Sequence, residues 1–167
     1  MNNNNHAPVL HPTRIDLPPE IRLDVIKMLN QTLACTVDLR SHVKQACWNV
    51  KGKDFVSLHA LFTKMATELD AYADLAAERI AVLGGMVMGT ARTAALFSKL
   101  TEYPAALVEG DDHVAALVEQ FAHYALVMRS SITLAADVED AGSAAVCTDI
   151  SRGVDKQLWV LEAHLHR

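Results

Sequence analysis

The sequence predicts an all-α protein: a bundle of four long helices with a short helix in a long crossover between helices 2 and 3. Hydrophobic residues make up 51% of the 167 residues, with only 7 Gly and 5 Pro, a composition that favours helices over a many-turned β-sandwich. Apolar residues recur at three- and four-residue steps along four stretches. Residues 86–109, between the second and third stretches, show no such regularity.

The N-terminal stretch differs in composition from the rest of the chain. Because residues 1–17 show no apolar periodicity, we predict a flexible arm there and one folded domain over 18–167. Helix 1 begins at Pro18-Pro19, since proline is tolerated in the first turn of a helix, and its apolar pattern continues to about residue 49.

Helix 2 and the crossover come next along the chain. Helix 2 is predicted over residues 55–83, where the same steps return and Gly84-Gly85 ends the pattern as a C-terminal cap. Residues 86–109 form the crossover and contain one short helix at about 91–100.

Two more helices complete the bundle. Asp111 or Asp112 is expected to cap helix 3, and helix 4 begins at Gly142 or Ser143. Four long helices with a single long crossover are typical of a ferritin-like bundle, in contrast to a bundle joined only by tight turns.

The charge of the chain argues against some classes of partner. Lys and Arg number 15 against 20 Asp and Glu, a net charge of −5, and the clustered basic residues on which binding to nucleic acid depends are missing.

No apolar run is long enough for a membrane span, and no secretory signal opens the chain. Three cysteines without paired spacing do not suggest a disulfide framework, so we expect a cytoplasmic protein.

Helix 2 carries the polar side chains best placed to bind a metal. His59 lies four residues before Thr63, and Asp74 lies four residues before Glu78. At 100° per residue all four share one face, yet His59 and Asp74 are about 22 Å apart along the axis, too far for one ion to touch both. A two-fold axis near the middle of the helix would bring His59 of one copy to the carboxylates of another. Imidazole with two carboxylates suits Fe(II), Mn(II) or Zn(II).

Other interpretations of these residues stay open. The two carboxylates could form a solvated acidic stripe with Arg79 as an ion-pair partner. Cys47 is typical of a small buried hydrophobic residue, unless a metal lies close by, and Trp48 is typical of a core residue unless it adjoins a redox centre. The remaining single histidines are interpreted as surface or capping residues: His42, His113 and His123.

Several motifs occur together in a fixed order and spacing. They are Lys44-Gln45-Ala46-Cys47-Trp48-Asn49-Val50-Lys51-Gly52, Leu58-His59, Asp74-Leu75-Ala76-Ala77-Glu78-Arg79, Leu83-Gly84-Gly85 and Asp155-Lys156-x-Leu158-Trp159. From about Leu17 onward the chain resembles Dps, the DNA-binding protein from starved cells. The resemblance implies a mini-ferritin, a homo-dodecameric cage that oxidises Fe(II), preferably with hydrogen peroxide, stores ferric iron and protects the cell from oxidative damage.

The resemblance also implies a ferroxidase centre at the two-fold interface of a dimer. His59 matches a ligand supplied by one subunit, and Asp74 and Glu78 match the carboxylates of its partner. Two positions depart from the family pattern: Cys47 stands where the family has a His, and Thr63 where it has an Asp. Thr removes a negative charge from the pocket, and a thiolate would favour softer ions such as Zn(II).

Three interpretations of this atypical centre therefore compete. It oxidises iron at a reduced rate, it binds zinc through Cys47, or it is catalytically silent in a cage with a structural or co-assembly role. The acidic pores that admit iron in the family suggest a lining here of Glu109, Asp111, Asp112 and Glu119. Because the arm over residues 1–17 holds one Arg, Arg14, and no Lys, we expect weak or absent DNA binding.

Overall fold

The computed structural model describes residues 10–165 and confirms the predicted fold. It contains five helices: α1 Pro19–Asn49, α2 Phe55–Val82, α3 Ala91–Phe97, α4 Gly110–Asp137 and α5 Ala141–Leu165. Within the described range no strand forms, and one isolated bridge joins Lys51 to Glu109. The four long helices are the elements that the apolar periodicity predicts, and α3 is the short helix expected in the crossover.

The bundle consists of two helical hairpins packed face to face. α1 packs along α2, α4 packs along α5, and α1 also contacts α4. The core between them is apolar, with Phe62 and Phe121 fully buried. Two polar contacts cross this core between α1 and α4 in the described residues: the Thr36 hydroxyl lies 2.5 Å from the hydroxyl of the fully buried Tyr124, and the Thr32 hydroxyl lies 3.3 Å from that of Ser131.

Gly84 ends α2 as the sequence predicts. Its φ of +82° lies in the left-handed region that favours glycine, and its carbonyl accepts a hydrogen bond of 2.7 Å from the backbone N–H of His11. Leu10, Ile15 and Leu17 also pack against the core. The first nine residues of the predicted arm lie outside the described residues, so this contact concerns only its second half.

The start of α4 differs from the prediction. The residue that precedes α4 is Glu109, and it makes no side-chain capping hydrogen bond, whereas Asp111 and Asp112 lie inside the first turn. The prediction that either Asp caps this helix is therefore wrong. Carboxylates inside the first turn still interact favourably with the positive end of the helix dipole.

A buried ion pair fixes the turn between α4 and α5. Asp140, only 2% exposed, accepts a hydrogen bond of 2.7 Å from Arg79 Nη2 on α2. The same carboxylate accepts from the Ser143 backbone N–H at 3.0 Å and from the Ser143 hydroxyl at 2.5 Å, so Asp140 caps α5. Arg79 Nε also donates to the Ser143 hydroxyl at 2.9 Å. One guanidinium thus connects the end of α2 to the start of α5.

No helix in the described part of the chain is long and apolar enough to cross a membrane.

Candidate metal centre

The short link between α1 and α2 brings Cys47 next to Thr63. Gly52 turns the chain with a φ of +99°, and its carbonyl accepts from the N–H of Phe55, where α2 begins. The Cys47 Sγ lies 3.4 Å from the Thr63 Oγ1 and 3.9 Å from the His59 carbonyl oxygen. The thiol is 2% exposed, which confirms its interpretation as a small buried residue.

Thr63 satisfies its hydrogen-bonding capacity inside the protein. Its hydroxyl donates to the His59 carbonyl at 2.8 Å, an ordinary contact with the preceding turn of a helix. Its oxygen faces the Cys47 thiol. Two of the five positions implied by the resemblance are therefore occupied by neutral side chains that contact each other, and neither brings a carboxylate to the site.

His59 is exposed and lies one turn before Thr63. Its ring packs against that of Phe55, with 5.4 Å between the centroids. This contact restrains the ring of a side chain that otherwise faces solvent. An imidazole in this position is available to a metal ion or to a second subunit.

Asp74 and Glu78 are both exposed on α2. Across residues 10–165 neither carboxylate forms an ion pair. Arg79, the expected partner in a solvated stripe, turns inward to Asp140 instead, so that part of the alternative interpretation is wrong. Two adjacent carboxylates without a cation retain their full attraction for a metal ion.

The described residues of one chain do not form a complete metal site. No group of three or more His, Cys, Asp or Glu side chains in residues 10–165 could hold an ion. The separation of about 22 Å between His59 and Asp74 along α2 accounts for this result. A complete site would need side chains from a second subunit.

Trp48 and the acidic cluster lie at the surface. Trp48 is 69% exposed, so its interpretation as a core residue is wrong for the single chain, and the Lys44 Nζ lies 5.1 Å from the centre of its ring.

Three members of the acidic cluster line a pocket of about 260 Å³ together with Lys51 and Lys53: Glu109, Asp111 and Asp112. The fourth member, Glu119, is exposed further along α4.

Two histidines are buried, contrary to the sequence interpretation. His42 is 6% exposed and His113 is 1% exposed, and both contact the ring of Tyr103 in the crossover. Neither is the surface or capping residue that we predicted. The three residues lie on α1, in the crossover and on α4. Their contact could therefore not be predicted from the spacing of residues along one helix.

Comparisons with known proteins place the chain in a broad structural class of proteins. Residues 26–167 match the ferritin-like domain family. A Dps structure from Vibrio cholerae, described as a member of a broad superfamily of ferritin-like diiron-carboxylate proteins, superposes with a TM-score of 0.87 at 26% identity, covering 95% of this chain and 99% of that one. The bundle and its crossover are therefore those of a ferritin-like protein.

The relatives then narrow the class to one family. A DNA protection during starvation protein from Agrobacterium fabrum is 38% identical over 155 residues, covering 93% of this chain and 96% of the relative. The structure of Dps from Microbacterium arborescens in its high iron form matches with a TM-score of 0.84 at 30% identity, covering 95% of this chain and 100% of that one. The chain belongs to the Dps family, and its membership supports iron storage as the general role.

Proposed function

We propose that this protein is a Dps-type mini-ferritin that oxidises Fe(II) with peroxide and stores the ferric product in a homo-dodecameric cage in the cytoplasm. The observation that carries the proposal is the pair of exposed carboxylates, Asp74 and Glu78, without a cationic partner in the described residues. Iron is the substrate of this reaction. Its binding site combines His59 of one subunit with the two carboxylates of another across a two-fold axis.

The side chains perform distinct tasks in this scheme. Asp74 and Glu78 supply hard, negatively charged oxygen ligands, which suit Fe(II) and stabilise Fe(III) more strongly because of its higher charge. His59 adds a neutral nitrogen ligand. One peroxide accepts an electron from each of two Fe(II) ions and two protons from solvent, and leaves as two water molecules. The protein's part is to hold the ions close to each other and to the oxidant.

The two departures from the family pattern make this centre weaker. Thr63 brings a neutral hydroxyl to the position of a carboxylate, and the buried Cys47 thiol contacts that hydroxyl. With one negative charge fewer, the pocket attracts Fe(II) less strongly. We therefore propose an attenuated ferroxidase that retains three of five family ligands.

A silent cage is the second candidate, and the contact between Cys47 and Thr63 specifically favours it. In that case the protein keeps the fold and assembly of the family and serves as a structural or co-assembling subunit. Zinc binding through Cys47 has less support, because the thiol is buried among helix atoms and no third ligand of the same chain adjoins it in the described range. An assay of iron oxidation separates the two candidates.

Removing both carboxylates is expected to abolish iron oxidation. We expect Asp74→Asn with Glu78→Gln to reduce peroxide-driven Fe(II) oxidation to the protein-free rate, because the pocket loses both charges that bind iron. The rate is followed by ferric absorbance after anaerobic loading, with iron co-eluting with the cage as a second readout. Asp16→Asn with Glu20→Gln removes the same two charges from exposed positions elsewhere and should leave the rate unchanged. Equal rates in all three proteins would contradict the proposed centre.

DNA binding is expected to be weak. The chain carries a net charge of −5, and Arg14 is the sole Lys or Arg among residues 1–17. Because affinity for DNA depends on releasing counterions with Lys and Arg, we expect no stable complex near physiological ionic strength, roughly 150 mM. An electrophoretic mobility shift with duplex DNA at that salt concentration tests this, and a clear shifted band would refute it.

A further inference from the structure

Tyr103 lies between two histidines at the junction of the crossover with the bundle. Its ring is 5.4 Å from that of His42 on α1 and 6.2 Å from that of His113 on α4, between centroids. The second pair is nearly parallel, with 8° between the ring planes. Tyr103 is 7% exposed, so the phenol is held between two imidazoles with little access to water.

The phenol makes a short hydrogen bond to one of these imidazoles. The Tyr103 Oη lies 2.8 Å from the His113 Nδ1. Burial raises the pKa of Tyr103 and lowers the pKa of His113, although the Leu107 carbonyl and Asp112 oppose the second shift. Both groups are therefore neutral at pH 7. We assign the phenol as the donor and Nδ1 as the acceptor, which places the imidazole proton on Nε2, an atom that is buried and has no hydrogen-bond partner among the described residues.

A tyrosine hydrogen-bonded to a neutral base is suited to losing an electron and a proton together. Oxidation of a phenol makes its proton strongly acidic, and a base already in contact can take that proton without solvent. In this position the positive charge left by the oxidation resides on the imidazole, which is a far stronger base than the oxidised phenol, and the nearby Asp112 favours the charged imidazole. Neither group belongs to the proposed iron site.

We propose that Tyr103 and His113 form a redox-active pair that supplies one electron to strong one-electron oxidants. The hydroxyl radical, formed when Fe(II) reduces peroxide by one electron, is such an oxidant. It takes an electron from Tyr103 and becomes hydroxide, while the phenolic O–H bond breaks and its proton moves to His113 Nδ1. The products are a neutral tyrosyl radical, an imidazolium and hydroxide. A further Fe(II) returns the electron and becomes Fe(III), and the proton returns to the phenol.

The surroundings of Tyr103 support this role. An open polar pocket of about 540 Å³ adjoins the ring and is lined in part by Asp38, His42 and Glu102. His42 lies five residues before Cys47 on α1, a rise of about 7.5 Å along the helix axis. The pocket leaves the ring of Tyr103 within reach of a small oxidant that arrives from solvent.

Tyr124 provides an internal comparison. It is fully buried, whereas Tyr103 is 7% exposed, and its hydroxyl lies 2.5 Å from that of Thr36, which is not a base at neutral pH. Oxidation of Tyr124 would leave its proton without a base to accept it in the core. The two tyrosines therefore differ in the presence of a base and in access, since Tyr103 also lines an open pocket.

The oxidant comes from a one-electron side reaction of Fe(II) with peroxide that competes with the proposed iron chemistry, whereas the redox activity of the pair needs no iron. The first experiment therefore uses the assembled, iron-free protein. A ruthenium tris-bipyridyl photosensitiser with persulfate oxidises it in a flash, and electron paramagnetic resonance of the frozen sample detects the tyrosyl radical. We expect a tyrosyl signal in the native protein and in Tyr124→Phe, and its loss in Tyr103→Phe. His113→Gln should slow formation of the radical by roughly 100-fold, the usual contribution of a positioned base.

Mapping of the radical keeps the test independent of any variant that folds poorly. A nitroso spin trap added to the native protein should label the peptide that contains Tyr103. Three results would each overturn the proposal. They are a spin-trap label confined to Tyr72 or Tyr124, a tyrosyl signal that survives in Tyr103→Phe, and an unchanged rate of radical formation in His113→Gln. A second experiment replaces the flash with Fe(II) and peroxide. If the flash yields the Tyr103 radical and the iron reaction does not, the pair stands, and peroxide is reduced by two electrons without hydroxyl radical, as the proposed function requires.

Discussion

Replacing Asp140 with Ala is expected to lower the free energy of unfolding by about 3 kcal/mol. Asp140 is 2% exposed and accepts hydrogen bonds from Arg79 and Ser143. Its loss leaves a guanidinium that is only 18% exposed without a counter-charge, and it removes the cap of α5. Because Arg79 keeps some contact with water, we expect the lower end of the cost of breaking a buried ion pair. The midpoint of urea-induced unfolding measures the change.

An exposed ion pair between α4 and α5 provides a matched control. Arg129 and Asp155 pair at 3.1 Å between α4 and α5, with their side chains 55% and 45% exposed. Asp155→Ala should cost less than about 1 kcal/mol, because water screens an exposed pair and solvates the remaining charge. If Asp140→Ala destabilised the protein no more than Asp155→Ala, the pair with Arg79 would not secure the turn.

Restoring the family residues is expected to accelerate iron oxidation. Cys47→His with Thr63→Asp places an imidazole and a carboxylate where the thiol and hydroxyl now contact each other at 3.4 Å. We expect the rate of peroxide-driven Fe(II) oxidation to rise roughly 10- to 100-fold, since even residues that only support a ligand contribute that much to metal sites. Initial rates of ferric absorbance, measured on intact cages, give the comparison.

The design of this experiment accounts for packing and charge. Cys47 is 2% exposed, and a larger side chain there can cost about 1 to 3 kcal/mol, so Thr63→Asp is also measured alone. Thr67→Asp is the matched control, because Thr67 is exposed one turn further along α2 and gains the same charge outside the site. A fast native enzyme that the double change leaves unaltered would show that Cys47 and Thr63 are tolerated ligand variations.

The course of the helices could be predicted from local signals. Apolar steps of three and four residues mark α1 and α2, Pro19 lies in the first turn of α1, and Gly84 takes the left-handed conformation that ends α2. These signals depend on neighbours within a turn or two of the chain. The starts of α4 and α5 were harder to place, because several acidic residues precede each one and a side chain from α2 decides which of them caps α5.

The candidate site could be predicted only in part. Exposure of His59, Asp74 and Glu78 on α2 follows from their spacing, and the structure agrees. The inward turn of Arg79 could not be predicted, because its partner Asp140 lies 61 residues away. The contact of Tyr103 with His113 also could not be predicted, because Tyr103 lies in the irregular crossover and His113 lies on α4. Apolar periodicity describes the faces of a single helix and does not predict a contact between two such segments.

The division into two hairpins has a consequence for the order in which the chain folds. α1 and α2 are joined by a few residues, as are α4 and α5, so each hairpin closes a short loop and gains its contacts early. The contact of Thr36 with Tyr124 spans 88 residues and must wait for the long crossover to close. During synthesis on a ribosome, the hairpin of α1 and α2 would therefore be complete before α4, which covers part of its apolar face, has been made. We expect that face to be the part of the nascent chain most exposed to aggregation.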